Sequence, residues 1–375
     1  MVSPAKPLAP SAYTAGLDGI KGLLILFVAF GHMHAVQLNA RPVYDLIYIF
    51  HVAGFLILPF LLPSPVLSGS FLAKRFVRYA VPFFWFFTLC TVLFYLVFLR
   101  HKGVTLPEIG QSYLIGLLTA STHTLDDASG LKLFWFLPAL FTLTVLRACW
   151  SSLQPLARIP LLIACILVCL LAGDFGDWRY YIPWGLLIAA FIFPAGLVTE
   201  WYFHSPLSQN TIAKTLLPLL AVALLCLSWA LHISINIGDL TFYSFCTNPV
   251  LHLVFLLTML VVVAAIIQLQ GVWMKIPGLA FIGSLSLPVY LIHGLVNQML
   301  EMLLLPRLGL PPLTSLWIIY PLVIAISLTA SWIIMKVAFF RQILFPRDAT
   351  DLCNWYHSTL KLFGFSTGHV IGAKK

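Results

Sequence analysis

The sequence has few charged residues and no extended hydrophilic region. Asp, Glu, Lys and Arg make up 9% of the 375 residues, whereas 61% belong to the apolar set AVILMFWYC. Soluble domains carry about 25% charged residues, so the composition excludes an ordinary soluble enzyme. The same hydrophobicity excludes a disordered chain. The 23 Gly and 24 Pro residues are dispersed, which excludes collagen-like and linker architectures and leaves a polytopic membrane protein.

The sequence also lacks common signatures of nucleotide and metal sites. It contains no GxxxxGK[ST], GxGxxG, HExxH or CxxC motif. The seven cysteines lie mostly inside apolar runs, where cysteine behaves as a small hydrophobe, so they indicate no disulfide framework. A single HxxxD match, His123 to Asp127, falls in a short polar segment, Thr122–Ala128, that we interpret as an external loop.

The chain length and the charge pattern predict the architecture. One crossing with its loop takes about 30–35 residues, so we expect an all-α bundle of about ten spans. We predict a cytoplasmic N-terminal tail (1–16), a transmembrane domain (17–340) and a cytoplasmic C-terminal tail (341–375). Most Lys and Arg residues, including Arg147, then fall in inner loops or tails, as the positive-inside rule requires. The net charge of +9 therefore reflects topology and predicts no nucleic-acid partner.

The first span, predicted over 17–38, carries Asp18, Lys21 and His32. Lys or Asp at the centre of a bilayer costs about 2.5–3.5 kcal/mol, so such residues normally face the bundle interior and mark a site. Lys21 and His32 lie within about 20° on one helix face, with a rise of about 16 Å between them. This face suits a ligand with an anionic head and a long reactive arm. The alternatives are a snorkelling Lys21 and a structural His32.

At these residues the sequence resembles acyltransferase family 3, a family of integral membrane proteins. The family's hallmark is a basic residue, ten residues and a histidine in a first span that opens with Leu-Asp-Gly. The matching stretches follow the family's order from about residue 15 to 340: Leu17–Lys21 with Gly31–His32, Tyr48–His51, Lys74–Pro82, Trp135–Pro138 and Ser286–His293. After His51 the usual Pro and aromatic run is replaced by Val52–Leu56, so this one motif is degraded.

The resemblance implies transfer of an acyl group, most often acetyl, from cytosolic acyl-CoA to a hydroxyl. The acceptor is commonly a sugar of a surface polysaccharide, a lipopolysaccharide or a lipid-linked glycan. The resemblance implies His32 as the catalytic residue and a bacterial inner membrane as the location. We expect acetyl-CoA as the donor co-substrate, no metal, and the glycan acceptor and the lipid bilayer as partners. Self-association into a homo-oligomer is left open.

The implied reaction assigns roles to the polar residues. An alcohol is a poor nucleophile at neutral pH, so His32 would deprotonate the acceptor as a base or first take the acyl group itself. Asp18 would orient or neutralise Lys21. The CoA phosphates need cations, for which Lys21, Arg75 and Arg78 are candidates, although the positive-inside bias also explains these three residues.

The remaining candidates contact the two substrates. Trp135 and Tyr290 would pack against pantetheine or sugar, with core or interfacial aromatics as the alternative. His51, His293 and Asp45 are candidates for acceptor binding. A transporter or flippase of glycan or lipid intermediates would also use buried polar residues, and a membrane-bound O-acyltransferase of the other large family is a third reading. Consumption of acyl-CoA by the purified protein separates the enzymes from the transporter.

Overall fold

The computed structural model describes residues 10–172, 183–235, 237 and 242–362. Every regular element in these ranges is helical. In chain order the α-helices are α1 (Pro10–Gly31), α2 (His34–Asn39), α3 (Arg41–Ile57), α4 (Gly69–Phe94), α5 (Leu106–Thr119), α6 (Thr122–Ser129), α7 (Phe136–Ser152), α8 (Pro155–Ala172), α9 (Trp184–His204), α10 (Thr211–Ala230), α11 (Phe242–Thr247), α12 (Pro249–Gln268), α13 (Gln270–Trp273), α14 (Leu279–Ser284), α15 (Ser286–Leu308), α16 (Pro312–Lys336), α17 (Ala338–Leu344) and α18 (Ala349–Leu362).

Long apolar helices make up most of the described chain. Eight of the described helices are long and apolar enough to cross a membrane: Arg41–Leu61, Gly69–Lys102, Lys132–Ser152, Gly185–His204, Thr211–Ala230, Pro249–Gln268, Ser286–Leu308 and Pro312–Lys336. Two further apolar helices are α1, with 22 residues, and α8, with 18. The prediction of an all-α polytopic bundle is confirmed, whereas ten spans and cytoplasmic termini stay predictions.

The first helix lies between several others and packs against α3, α14, α15 and α16. Its buried apolar side chains recur at helical spacing: Ile20, Leu24, Ile25 and Val28. A Cβ on Gly22 would meet the carbonyl of Leu279, and one on Gly283 would meet the carbonyl of Asp18. Backbone therefore touches backbone between α1 and α14, and these glycines fix the register of α1 beside its charged residues.

A buried arginine binds backbone carbonyls just after the C-terminal end of α3, where the chain continues as a short 3-10 turn, Leu58–Leu61. Arg147 of α7 is 3% exposed. Its terminal nitrogens donate to the carbonyls of Pro59 (2.6 Å) and Leu62 (2.6 Å) and to the carboxylate of Glu200 on α9 (3.0 Å). The placement of Arg147 in an inner loop was therefore wrong, because its counter-charge comes from a distant helix and lets it lie inside the bundle.

The polar segment expected as a loop over 122–128 forms α6 instead. The Ser121 hydroxyl caps this helix by accepting from the amide of Thr124 (3.3 Å). Leu125, Ala128 and Ser129 are buried and follow i, i+3, i+4 spacing, so one face of α6 packs on the core. The loop expectation was wrong because it weighed polarity and not this short apolar face.

The chain after the last long helix folds back onto the bundle. α17 and α18 pack against each other and against α4. The ring of Phe345, just after α17, lies 5.5 Å from that of Phe86 on α4. Arg347 and Asp351 form an ion pair (3.1 Å) at the start of α18. Part of the predicted C-terminal tail is therefore helical, and residues 363–375 of that tail, like residues 1–9 of the N-terminal one, lie outside the described residues.

Candidate active site

The first helix ends directly before His32, the candidate catalytic residue. α1 stops at Gly31, and His32 lies in the turn before Met33, which is extended (φ −67°, ψ 124°). Helix α2 then starts at His34, so the prediction of one uninterrupted span over 17–38 was wrong. The amide of His32 still donates to the carbonyl of Val28 (3.1 Å), so the helical rise of about 16 Å from Lys21 to His32 holds.

The break is stabilised by two polar side chains of α15. The Asn297 side-chain amide donates to the carbonyl of His32 (2.9 Å). The Glu301 carboxylate accepts from the backbone amide of His34 (2.8 Å). An interrupted helix leaves backbone groups without intrahelical partners, which is costly in an apolar medium. Asn297 and Glu301 supply those partners, so the irregular backbone at His32 is a built feature of the fold.

Three histidines from three helices meet at this break and form what we call the histidine cluster: His32, His51 of α3 and His293 of α15. The ring centroid of His32 lies 5.1 Å from that of His293 and 6.5 Å from that of His51. His51 and His293 are fully buried, whereas His32 is partly exposed. Among the described residues no group of three or more His, Cys, Asp and Glu is arranged to hold a metal ion. Because His32 is the partly exposed ring of the cluster, it is the first of the three that a ligand contacts.

The hydrogen bonds of the histidine cluster fix which nitrogen carries the proton. Nδ1 of His32 lies 2.7 Å from the carbonyl of Val28, that of His51 2.6 Å from the carbonyl of Ile47, and that of His293 2.6 Å from the carbonyl of Tyr290. A carbonyl only accepts, so each Nδ1 is protonated and donates. In the neutral rings Nε2 therefore keeps its lone pair, as a general base or a nucleophile requires.

Aromatic side chains hold the histidine cluster. The Tyr48 hydroxyl lies 3.5 Å from Nε2 of His32, and the Tyr48 ring contacts that of His51 (4.6 Å). The Tyr290 hydroxyl donates to the carbonyl of Leu133 (2.6 Å). Because this hydroxyl already donates its proton, Tyr290 could meet a ligand only with its ring face or as a hydrogen-bond acceptor. Trp135 lies beside the same wall, with its ring 6.2 Å from that of Phe136.

Lys21 and Asp18 form the polar pair of α1 and lie near the middle of the helix, about three turns before the histidine cluster. Nζ of Lys21 lies 2.8 Å from Oδ1 of Asp18. The Lys21 side chain is 35% exposed and that of Asp18 is 19% exposed, so the cation is neutralised but reachable. The predicted separation of about three helical turns between the cation and the imidazole is present, although Lys21 lies in the middle of α1 and His32 directly after its end.

A cationic cluster formed by Lys74, Arg75 and Arg78 lies in the first part of α4. The continuous helix Gly69–Lys102 has 34 residues, about 51 Å, and thus exceeds the hydrocarbon core of about 30 Å. Lys74 and Arg78 are exposed, while Arg75 is half-buried with its guanidinium 5.3 Å from the Phe71 ring. Nε of Arg75 is buried without a hydrogen-bond partner. In the described residues no hydrogen bond or ion pair joins this cluster to Lys21.

Asp45 lies apart from the histidines and lines a polar cavity of about 250 Å³ between α3 and the end of α10. Its carboxylate pairs with Arg41 (3.0 Å), and Arg41 also donates to the hydroxyl of Ser234 (3.0 Å). The guanidinium of Arg41 lies 4.9 Å from the Tyr44 ring, which is 4.0 Å from the Tyr48 ring. A series of side-chain contacts therefore connects this cavity with the histidine cluster.

Sequence reasoning missed Asn297 and gave Tyr48 no role of its own. Asn297 is a polar residue inside an apolar span, the same signal that identified His32. Tyr48 stands three residues before His51 and shares its helix face. The side chain of the neighbouring His34 is exposed.

The fold and the histidine cluster define a polytopic membrane protein with a reactive imidazole inside its helical bundle. A family model described as an acyltransferase domain matches residues 14–336. The chain therefore belongs to acyltransferase family 3, and it is a membrane acyltransferase. No curated protein and no solved structure matches the sequence significantly.

Proposed function

We propose that the protein moves an acyl group, acetyl in the simplest case, from cytosolic acyl-CoA to a hydroxyl of an extracytoplasmic or lipid-linked polysaccharide sugar. The observation that carries this proposal is the state of His32. Its Nδ1 is bonded to the Val28 carbonyl, its Nε2 keeps a lone pair, and its ring is the reachable one in the histidine cluster. We propose a bacterial inner membrane as the location.

The reaction uses Nε2 of His32. This nitrogen takes the proton of the acceptor hydroxyl while the hydroxyl oxygen attacks the thioester carbonyl. The C–S bond then breaks, and the proton passes from the imidazolium to the departing CoA sulfur. General base catalysis contributes about 10²–10⁴-fold, and holding donor and acceptor together contributes up to about 7–11 kcal/mol. In the second scheme the same nitrogen attacks the thioester first, and an acylated protein accumulates when no acceptor is present.

The donor is bound by the cationic residues. Lys21, held by Asp18, and Arg75 and Arg78 bind the phosphates of CoA, because Arg grips phosphate oxygens in pairs and Lys acts as a point charge. The unpartnered Nε of Arg75 supports this role. Trp135 and the ring face of Tyr290 would form an apolar wall along which the pantetheine arm reaches His32.

The acceptor approaches from the cavity beside Asp45. Its lining offers a carboxylate, a guanidinium and the Ser234 hydroxyl, which together can accept and donate hydrogen bonds to a sugar. We assign Asp45 to binding of the acceptor there, and His51 and His293 to binding beside His32.

The proposal is tested with purified wild-type protein and with cells. Purified protein supplied with acetyl-CoA and surface polysaccharide should release free CoA and form a base-labile ester. Mass spectrometry should find this ester on the glycan of cells that carry the wild-type gene and not on that of cells with His32→Ala. Movement of glycan or lipid intermediates without consumption of acetyl-CoA would instead identify the transporter and overturn the proposal.

A further inference from the structure

Three buried acceptor atoms around His32 have no donor. Nε2 of His51, Nε2 of His293 and Oδ1 of Asn297 are each buried without a hydrogen-bond partner. His51 and His293 are 0% exposed and Asn297 is 5% exposed. Buried polar atoms are nearly always paired in folded proteins, so three such acceptors beside the partly exposed ring of His32 point to a binding site for a group that donates hydrogen bonds.

The identity of these atoms as acceptors follows from their neighbours. Each imidazole uses its single proton on a backbone carbonyl through Nδ1. Asn297 uses its NH₂ group on the carbonyl of His32 (2.9 Å), which identifies Oδ1 as the free atom. The Tyr48 hydroxyl is a donor near Nε2 of His32, whereas the free atoms of His51, His293 and Asn297 are all acceptors.

The reacting hydroxyl cannot satisfy these acceptors. An alcohol O–H donates one hydrogen bond, and in the proposed reaction that proton goes to Nε2 of His32. The ring centroid of His293 is only 5.1 Å from that of His32, so a donor that serves His293 lies close to the reacting oxygen. A hydroxyl on the neighbouring carbon of the acceptor meets this requirement, since adjacent hydroxyls lie about one hydrogen-bond length apart.

We infer that the acceptor carries a second hydroxyl next to the one that is acylated, and that this hydroxyl donates to Nε2 of His293. This inference rests on the proposed function and adds to it a selectivity for a 1,2-diol. His293 is a positioning residue: the second hydroxyl donates to it and stays unchanged, while the ester forms on its neighbour. Substrates with isolated hydroxyls leave the acceptors unpaired and are rejected.

The test compares three small alcohols as acceptors for the detergent-solubilised full chain with acetyl-CoA. The probes are trans-cyclohexane-1,2-diol, cyclohexane-1,4-diol and cyclohexanol, and ester formation is measured by mass spectrometry. The 1,4-diol has the same number of hydroxyls as the 1,2-diol, so it controls for the number of groups that can be acylated. We expect kcat/KM for the 1,2-diol to exceed that for the 1,4-diol at least tenfold.

Two variants test whether the selectivity for the 1,2-diol depends on the histidine cluster. His293→Phe should bring the ratio of 1,2-diol to 1,4-diol close to one. His252→Phe is the matched control, because His252 is also buried and also bonds through Nδ1 to the carbonyl four residues before it, Asn248 (2.8 Å). It should keep the wild-type ratio. The wild-type series alone decides the inference if His293→Phe does not fold.

Three outcomes would overturn the inference: a wild-type ratio within twofold of one, a ratio that survives His293→Phe, or acylation of the polysaccharide with none of the three alcohols accepted. In all three the protein still consumes acetyl-CoA, so the proposed function stands. A protein that consumes no acetyl-CoA with any acceptor, polysaccharide included, contradicts the proposed function, and the inference falls with it.

Discussion

Two groups of polar side chains lie inside the bundle, and they differ in whether their hydrogen-bonding capacity is used. The terminal nitrogens of Arg147 bond to backbone carbonyls and to Glu200. In the histidine cluster Nε2 of His51 and of His293 bonds to nothing in the described residues. The Arg147 guanidinium joins helices through its paired terminal nitrogens, although its Nε has no partner. In the histidine cluster, by contrast, the free nitrogens lie beside the partly exposed ring of His32 and indicate a binding site. The predictions below test this difference in order of decreasing effect.

The largest stability effect is expected at Arg147. Arg147→Met leaves the Glu200 carboxylate and the carbonyls at the end of α3 unpaired, which should destabilise the fold by about 3–5 kcal/mol. Thermal unfolding in detergent measures the loss. The double variant Arg147→Met with Glu200→Gln should recover part of it. An unchanged unfolding temperature for Arg147→Met would show that this pair does not join the helices.

The second effect concerns the break after α1. Asn297→Leu removes the donor to the His32 carbonyl and should cost about 1–3 kcal/mol, because it leaves a buried acceptor unpaired. Since the break positions His32, kcat should fall more than the KM for acetyl-CoA rises. Steady-state kinetics separates the two. A variant that loses stability but keeps kcat would show that Asn297 stabilises the fold and does not position His32 for the reaction.

A third effect concerns Lys21 in the middle of α1. Lys21→Ala should raise the KM for acetyl-CoA about tenfold, the equivalent of about 1.4 kcal/mol, and should leave the KM for the acceptor unchanged. Lys214→Ala is the matched control, because Lys214 is an exposed lysine at the start of α10. Equal affinity for acetyl-CoA in both variants would remove Lys21 from the donor site.

The smallest effect is expected at the start of α18. The hydrogen bond and charge of Arg347 hold the pKa of the Asp351 carboxyl below its ordinary value. This pair therefore stabilises the docked helix at neutral pH, and its contribution is lost as the pH falls through the lowered pKa. The protection factors of residues 349–362 against hydrogen exchange should fall in acid for the wild type but not for Asp351→Asn. If protection in Asp351→Asn depends on pH as it does in the wild type, the Arg347–Asp351 pair is not the cause of the loss in acid.

The sequence allowed the helical membrane fold and most of the histidine cluster to be predicted, because both depend on local signals. Long apolar runs predict the helices, and His32, His51 and His293 are polar residues within such runs. The break after Gly31 was not predictable, since it depends on Asn297 and Glu301, which are far away in the chain. The burial of Arg147 escaped prediction for the same reason, because Glu200 belongs to another helix.

The central claim is that Nε2 of His32, which lies 3.5 Å from the Tyr48 hydroxyl, serves the chemistry and not the fold. Its most direct test is the rate of ester formation by purified His32→Ala, with acetyl-CoA and polysaccharide, beside His34→Ala as the control with an exposed side chain. The account predicts that both variants unfold near the wild-type temperature, that His34→Ala keeps the wild-type rate, and that His32→Ala loses about 10²–10⁴-fold or more. A wild-type rate for folded His32→Ala would contradict the account.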